Sequence, residues 1–159
     1  MYKFILLFLF TFVKITFAAN TIMKNLTIES NSMEVKKESA VLSGNVKIVS
    51  DTLNFTADIL EIAGNQSLHS WQNIQKITAY MKNGDIYGTL KTKQSSYNMK
   101  CKRIEATSTV ITILNAELSD GRNELFGEKI TYDIQSQQLT IVGNEQNKVR
   151  LLIKNIHGL

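Results

Sequence analysis

The sequence is poor in the residues that build most catalytic and metal-binding sites. Its 159 residues include one cysteine, two histidines and no proline. A single cysteine excludes a disulfide within the chain, and the isolated His69 and His157 do not supply the several convergent ligands that a metal needs. No glycine-rich phosphate loop, cysteine nucleophile motif or cluster of Ser, His and Asp is present. We therefore expect no enzyme, no metal and no cofactor, although spacing alone leaves open a site assembled in space.

Net charge is also low. The formal value is +4, and it falls to +2 without Lys3 and Lys14 near the start. Proteins that bind nucleic acid concentrate positive charge on one face, so we expect no nucleic-acid partner. The densest basic group is Lys100, Lys102 and Arg103. We interpret this group as a solvated strand face, and contact with an acidic head group is the alternative.

The first 19 residues have the pattern of a secretory signal. Lys3 is followed by an almost wholly apolar run over residues 4–13, and the segment ends in small residues. This order is typical of a cleavable signal peptide and predicts cleavage after Ala18. A retained membrane helix is the alternative, because Lys14 lies near the end of the run and its long side chain could reach the membrane surface.

The domain boundaries follow from this start. We predict a signal peptide over residues 1–18 and a single domain over residues 19–159, a length typical of one domain. An exported chain normally pairs its cysteines, whereas Cys101 has no partner within the chain. We therefore predict that Cys101 is a small buried apolar side chain.

Apolar and polar residues alternate through the region that organises the chain, residues 44–62. Val46 and Ile48 flank a lysine, and a second alternating run follows a polar break. Alternation with a period of two predicts half-buried strands. In the second run the apolar residues change parity before Leu60 and Ile62, which predicts a β-bulge or a strong twist.

The same unit recurs along the chain. Residues 114–132 repeat it 70 positions later, and residues 98–106 form a partial copy. Each copy carries a small residue, Ala57, Cys101 or Gly127, with an apolar residue two positions before it. Such self-similarity predicts stacked strand pairs built from one unit, with coincidence in a β-rich chain as the alternative.

Short strands separated by turn signals predict an all-β fold, and the repeated units favour a stacked roll over a sandwich. Two local predictions are more specific. The apolar spacing in residues 68–76 predicts a short helix or an irregular crossover. Asn83 and Gly84, between the strand patterns of residues 77–81 and 85–90, predict a tight hairpin. The open edges of such a stack are blocked or used for pairing, and residues 26–30 and 149–153 are apolar enough to be used.

Several short motifs together resemble the LptA/OstA family, the periplasmic lipopolysaccharide-transport proteins of Gram-negative bacteria. The resemblance runs from about Thr27 to Ile153, and residues 68–109 depart from the family pattern. It implies an all-β, open β-jelly roll, a V-shaped stack of antiparallel strands. It also implies localisation in the periplasm, lipopolysaccharide as ligand, and inner-membrane and outer-membrane transport components and further copies of the chain, head to tail, as partners. The motifs are Ile28-Glu29-Ser30, Leu42-Ser43-Gly44-Asn45-Val46, Ala57-Asp58 and Gly127-Glu128-Lys129-Ile130-Thr131-Tyr132.

The candidate lipid-binding residues come from this resemblance and from alternation. By resemblance, Leu26 and Ile28 fall at first-strand positions near the lipid. Ile130 and Tyr132 belong to a matching motif, and we infer their lipid role from parity. Any of these residues could instead be an ordinary core residue. Alternation alone adds the groove candidates Val46, Ile48, Leu60, Ile62, Ala116, Leu118, Leu139 and Ile141.

Three functions remain open from the sequence. The first is a soluble periplasmic carrier that holds lipid acyl chains in an apolar groove and assembles end to end. The second is a membrane-anchored component of the same pathway that retains its apolar start. The third is an exported structural β-roll without a lipid ligand, for which a tightly filled interior would be expected.

Overall fold

The computed structural model describes residues 25–67, 70–107 and 109–153, and within these ranges the chain forms strands, turns and bends. The predicted signal peptide and its cleavage after Ala18 therefore lie outside the described residues. Every strand pairing is antiparallel, so the all-β prediction is confirmed. The strands are β1 (Thr27–Glu29), β2 (Ser32–Val35), β3 (Ser39–Val49), β4 (Leu53–Ser67), β5 (Ser70–Tyr80), β6 (Ile86–Lys91), β7 (Ser96–Cys101), β8 (Arg103–Ala106), β9 (Val110–Ser119), β10 (Asn123–Asp133), β11 (Gln138–Val142) and β12 (Arg150–Ile153).

Within the described ranges, the strands form a meander of eight antiparallel passes. The passes are β1 with β2, then β3, then β4, β5 with β6, β7 with β8, β9, β10, and β11 with β12. Each pass is hydrogen-bonded to the pass that precedes and the pass that follows it in sequence. Sequential neighbours therefore become spatial neighbours throughout, which is the usual outcome of short connections.

A line of irregular positions crosses all of these passes, and we call it the fold line. In β3 the register shifts at Gly44 and Asn45, which together face the single residue Asp58 of β4. In the next passes the line runs through residues 81–85 between β5 and β6, and through Lys102 between β7 and β8. It then crosses β9 at Asn115 and β10 at Glu128, and ends in the loop of residues 143–149.

The fold line divides the sheet into two halves. Half-sheet A contains β1, the end of β3, the start of β4, β6, β7, the end of β9, the start of β10, and β12. Half-sheet B contains β2, the start of β3, the end of β4, β5, β8, the start of β9, the end of β10, and β11. Buried residues of both halves form one core cluster, so the half-sheets share one interior.

In β4, β9 and β10 the parity of the buried residues changes where the strand crosses the fold line, whereas β3, which carries the additional bulge residue, keeps its parity. In β4 the buried positions pass from Phe55 and Ala57 to Leu60 and Ile62. One additional residue between the two sets keeps the apolar side chains of both half-sheets on the interior side, because side chains alternate along a strand. The predicted irregularity is therefore present, and the extra residue of the β3–β4 ladder lies in β3.

The small residues of the repeat all precede the fold line. Ala57, Cys101 and Gly127 are buried at the last position of half-sheet A in their strands. The Cys101 thiol is free and buried, and burial raises its pKa to about 12. The prediction of a small buried apolar side chain at Cys101 is thus confirmed.

The predicted helix at residues 68–76 is wrong for residues 70–76, and residues 68 and 69 lie outside the described part of the chain. Residues 70–76 belong to β5, which pairs with β4. The β4–β5 ladder contains two register shifts, between Ala63 and Gly64 and between Asn65 and Gln66. Each shift places an extra residue in β5. Apolar residues that would recur every two positions in a regular strand therefore recur every three positions in the sequence, which is a spacing typical of a helix.

The predicted hairpin around Asn83 and Gly84 is also wrong. Strands β5 and β6 do not pair with each other, and both run along the same side of β4 in the same direction. Residues 81–85 loop out between them at the fold line, with Gly84 at a φ of 88°. The backbone N–H of Lys82 donates to Oδ2 of Asp58 at 2.8 Å, which ties this loop to β4.

Candidate functional site

The structure brings the predicted groove residues together in the interior. Ten of them are 0–5% exposed and belong to the core cluster, whereas Leu139 and Ile141 of β11 are partly buried against it. They therefore line a packed interior rather than an open groove. The ten buried candidates are Leu26, Ile28, Val46, Ile48, Leu60, Ile62, Ala116, Leu118, Ile130 and Tyr132.

Both half-sheets contribute to this set. In half-sheet A, Ile28 of β1 lies opposite Ile48 of β3. In half-sheet B, Ile130 lies opposite Ile141 and Tyr132 lies opposite Leu139. Directly opposed side chains on one face of an antiparallel pair contact each other, so the interior surface is continuous between neighbouring passes.

Sequence reasoning missed about half of the interior. The central passes supply many of the omitted residues, because the family resemblance is weakest there. The alternation of apolar and polar residues in β4, β6 and β9 would have predicted that they are buried. The largest omitted residues that are almost wholly buried are Leu42, Leu53, Ile86, Leu90, Ile104, Ile111 and Ile113.

A cavity of about 490 Å³ lies where the free margins of the two half-sheets meet, and we call it the mouth cavity. Half-sheet A contributes its turns at residues 51–52 and 91–93, and half-sheet B contributes Tyr132, Ile134 and Gln137. Because these margins lie at opposite ends of the passes, a shared cavity requires the sheet to fold over at the fold line. Tyr132 connects the mouth cavity to the core, because it lines the cavity and belongs to the core cluster.

A second cavity, of about 620 Å³, lies on the outer side of half-sheet A beside the fold line. The loop that joins β11 to β12 covers it, and Arg150 stacks over the Phe126 ring at 4.6 Å from the centroid. Lys100 and Lys102 line this cavity, and both lie within ion-pair distance of Asp85, at 3.8 and 2.7 Å. The predicted basic group is therefore partly compensated on this surface.

The predicted basic group and its neighbours form two compensated sets of charges. The hydrogen bond from Lys102 lowers the pKa of Asp85 below its ordinary value. Lys76 and Arg103 lie 2.8 and 3.0 Å from the carboxylate of Glu105. The hydrogen bond from Lys76 is the main cause of the lowered pKa of Glu105. These features agree with a solvated strand face.

The two predicted edges lie at opposite ends of the stack. Among the described residues, β1 and β2 pair only with β3, and β11 and β12 pair only with β10. All four residues of β12 are exposed, including Leu151 at 58%, Leu152 at 48% and Ile153 at 51%. Exposed apolar residues on an unpaired edge are a template for pairing with another chain.

Residues 25–67, 70–107 and 109–153 lack two further features. They contain no group of three or more His, Cys, Asp or Glu side chains arranged to hold a metal ion. In the same ranges no helix is long and apolar enough to cross a membrane.

Comparison with known proteins adds to this geometry. Residues 27–138 match the family described as LptA/(LptD N-terminal domain) LPS transport protein. A similar solved structure is that of LptH from Pseudomonas aeruginosa, described as the LptA homologous periplasmic component of the conserved lipopolysaccharide transport device. The TM-score is 0.66 at 17% sequence identity, over 83% of this chain and 96% of that chain. A search of curated proteins with the sequence finds no match.

Proposed function

The chain belongs to the LptA and LptD N-terminal domain family of lipopolysaccharide transport proteins, and from this premise we propose that it is a periplasmic lipopolysaccharide carrier. In this proposal the acyl chains lie between the two half-sheets, and copies join end to end through their edge strands. Inner-membrane and outer-membrane transport components are its further partners. No covalent chemistry is required of the chain.

The continuous apolar interior is the observation that carries the proposal. Its buried residues are drawn from both half-sheets and belong to one cluster. Each methylene of an acyl chain that leaves water for such a surface gains about 0.8 kcal/mol. A lipid that replaces contacts between the half-sheets therefore has a favourable environment along its chains.

Acyl chains reach this interior only if the half-sheets separate at their free margins. Within the described ranges, no hydrogen bond or ion pair joins the turns at residues 50–52 and 91–95 to residues 132–137. Separation at this place loses packing contacts and leaves the strand ladders intact. The fold line is the natural hinge, because the β3–β4 register shifts there and because the line separates β5 from β6 and β7 from β8.

The strand directions support end-to-end assembly. The first pass, β1 to β2, runs from half-sheet A to half-sheet B, and the last pass, β11 to β12, runs the opposite way. A second copy in the same orientation therefore places β12 beside β1 and β11 beside β2, both antiparallel. This contact repeats without closing and produces a filament.

A structural β-roll without a lipid ligand is a second candidate. The packed interior favours it, because residues such as Ile28, Leu60 and Ile130 are already fully buried by neighbouring side chains. A membrane-anchored component of the same pathway is a variant of the first candidate, in which the apolar start is retained. Mass spectrometry of the mature N-terminus distinguishes the soluble from the anchored form.

Photocrosslinking to lipopolysaccharide tests the carrier proposal. A photoreactive aromatic residue replaces Tyr132, which is 4% exposed and lines the mouth cavity, and Tyr87 on β6, which is 64% exposed, is the matched control. We expect an adduct from position 132 and none from position 87. No adduct from position 132 of the folded variant would favour the structural roll.

A further inference from the structure

We propose that the mouth cavity binds the phosphorylated head group of the lipid, with Lys91 and Lys93 as the contacts to its phosphate. This inference rests on the proposed carrier function and adds to it a polar subsite that determines which lipids are held. The phosphate subsite lies at the open margin of the roll, whereas the apolar residues proposed to bind acyl chains lie in its interior.

The position of the cavity fits an amphiphile. Its walls come from the polar turns of half-sheet A on one side and from Tyr132 and Ile134 of half-sheet B on the other. Tyr132 belongs to the apolar core, and Ile134 packs against it. A lipid whose chains pass beside Tyr132 into the interior therefore leaves its head group in the cavity.

The local backbone holds the two lysines on one exposed side of their turn. Thr92 between them is buried at 8% exposure, and its Oγ1 donates to the Ser95 carbonyl at 3.0 Å. The Ser95 N–H donates back to Thr92 Oγ1 at 3.1 Å, and the Lys91 N–H donates to the Thr52 carbonyl at 2.8 Å. Lys91 and Lys93, on either side of the buried Thr92, are exposed, and both line the mouth cavity.

The charges of these lysines are available to a ligand. Within the described residues, neither Lys91 nor Lys93 forms an ion pair, in contrast to Lys100 and Lys102, which share Asp85. Among the described residues that line the mouth cavity, Asp51 is the one carboxylate. Both of its oxygens accept hydrogen bonds from Asn25 Nδ2, at 3.2 and 3.1 Å.

Phosphate is the group that this arrangement fits. Lysine binds phosphate as a mobile point charge, and two ammonium groups beside one occupied carboxylate leave a net positive cavity. The apolar wall at Tyr132 and Ile134 adds contacts that a free inorganic phosphate cannot use. We therefore assign the cavity to a phosphate that is attached to a lipid.

Equilibrium binding of fluorescent lipid A, with its phosphates present or removed, tests the assignment. The variant is Lys91→Gln/Lys93→Gln, and the matched control is Lys47→Gln/Lys82→Gln, which removes two exposed lysines that also form no ion pair in the described ranges. We expect the unsubstituted protein and the control to prefer phosphorylated lipid A by roughly 5- to 20-fold. The mouth variant should lose this preference and bind both lipids alike.

The outcomes separate this inference from the carrier function. No binding of either lipid by the unsubstituted protein overturns the carrier proposal itself. Equal binding of both lipids by all three proteins leaves the carrier intact and overturns the phosphate subsite. A third arm titrates inorganic phosphate alone. Binding of inorganic phosphate that depends on Lys91 and Lys93, and that matches lipid A in affinity, would assign the cavity to free phosphate instead.

Discussion

Asn45 and Asn115 occupy equivalent places in two long strands, and both have a φ of 49°. They are 70 residues apart in sequence, and each lies where its strand crosses the fold line. Asparagine is among the few residues other than glycine that adopt this left-handed conformation at low cost. The repeat in the sequence is therefore a repeat of a backbone device that turns a strand from one half-sheet into the other.

The same comparison explains one departure between the copies. Gly44 has a φ of 76° beside Asn45, whereas Leu114 stands at that position beside Asn115. In β3 two residues face one residue of β4, so two consecutive left-handed positions are used. The β9–β10 ladder keeps its register across the fold line and needs only one.

The first prediction concerns the backbone at Asn115. Replacement by valine should lower the free energy of unfolding by roughly 1–2 kcal/mol, because a β-branched residue is strained in the left-handed region. Replacement by glycine should change it by less than about 0.5 kcal/mol. Urea denaturation measures both variants. The side chain of Asn115 is exposed, so core packing does not confound the comparison. Equal losses in both variants would contradict the backbone explanation.

The second prediction concerns end-to-end assembly through β12. Leu151→Asp should weaken self-association by roughly tenfold or more, because it removes an apolar side chain from the pairing edge and adds a charge. Sedimentation equilibrium measures the association, and circular dichroism checks the fold. Tyr87→Asp is the control, since Tyr87 is similarly exposed, at 64% against 58%, but lies on an inner pass. An equal effect of both variants would exclude β12 as the assembling edge.

The third prediction concerns the reactivity of Cys101. Burial raises the pKa of this thiol from an ordinary 9.0 to about 12, so its thiolate fraction near neutral pH falls roughly a thousandfold. Iodoacetamide should leave Cys101 unmodified in the native protein and alkylate it in urea, as mass spectrometry would show. Rapid alkylation without denaturant would mean that the core opens readily at the fold line.

The fourth prediction concerns acid stability. The hydrogen bond from Lys102 lowers the pKa of Asp85 below 3.8, so the contribution of this carboxylate is complete above that value and is lost as pH falls through the folded pKa. Asp85→Asn should therefore lower the melting temperature near pH 6 and lower it by less near about pH 2. Thermal melts across this range measure the difference.

A control for the fourth prediction is Glu38→Gln. Glu38 is exposed and forms no ion pair in the described part of the chain. Its substitution should leave the melting temperature nearly unchanged at both pH values. High salt should also reduce the effect of Asp85→Asn, because exposed charges are screened. A pH-independent effect of Asp85→Asn would indicate a steric cause.

The residues that face the interior of the best-patterned strands could be identified from the amino-acid pattern. Alternation is imposed by the strand geometry within a single segment, so Val46, Ile48, Leu60 and Ile62 could be found without any partner strand. The repeat and the short motifs in order were also sufficient to indicate the family. All twelve predicted lipid-binding residues contact or belong to one core, although their role in binding lipid stays a prediction.

The way in which the segments join, in contrast, depends on contacts between distant parts of the fold. Whether Asn83 and Gly84 close a hairpin or loop out between two collinear strands depends on β4, which offers one edge to both β5 and β6. The helical spacing in residues 70–76 similarly results from two bulges, which exist only relative to a partner strand. Likewise, in the described part of the chain Lys91 and Lys93 form no ion pair, whereas Lys100 and Lys102 do, because folding places Asp85 beside the latter two. Pairing and charge compensation are relations between distant segments, and a local pattern does not contain them.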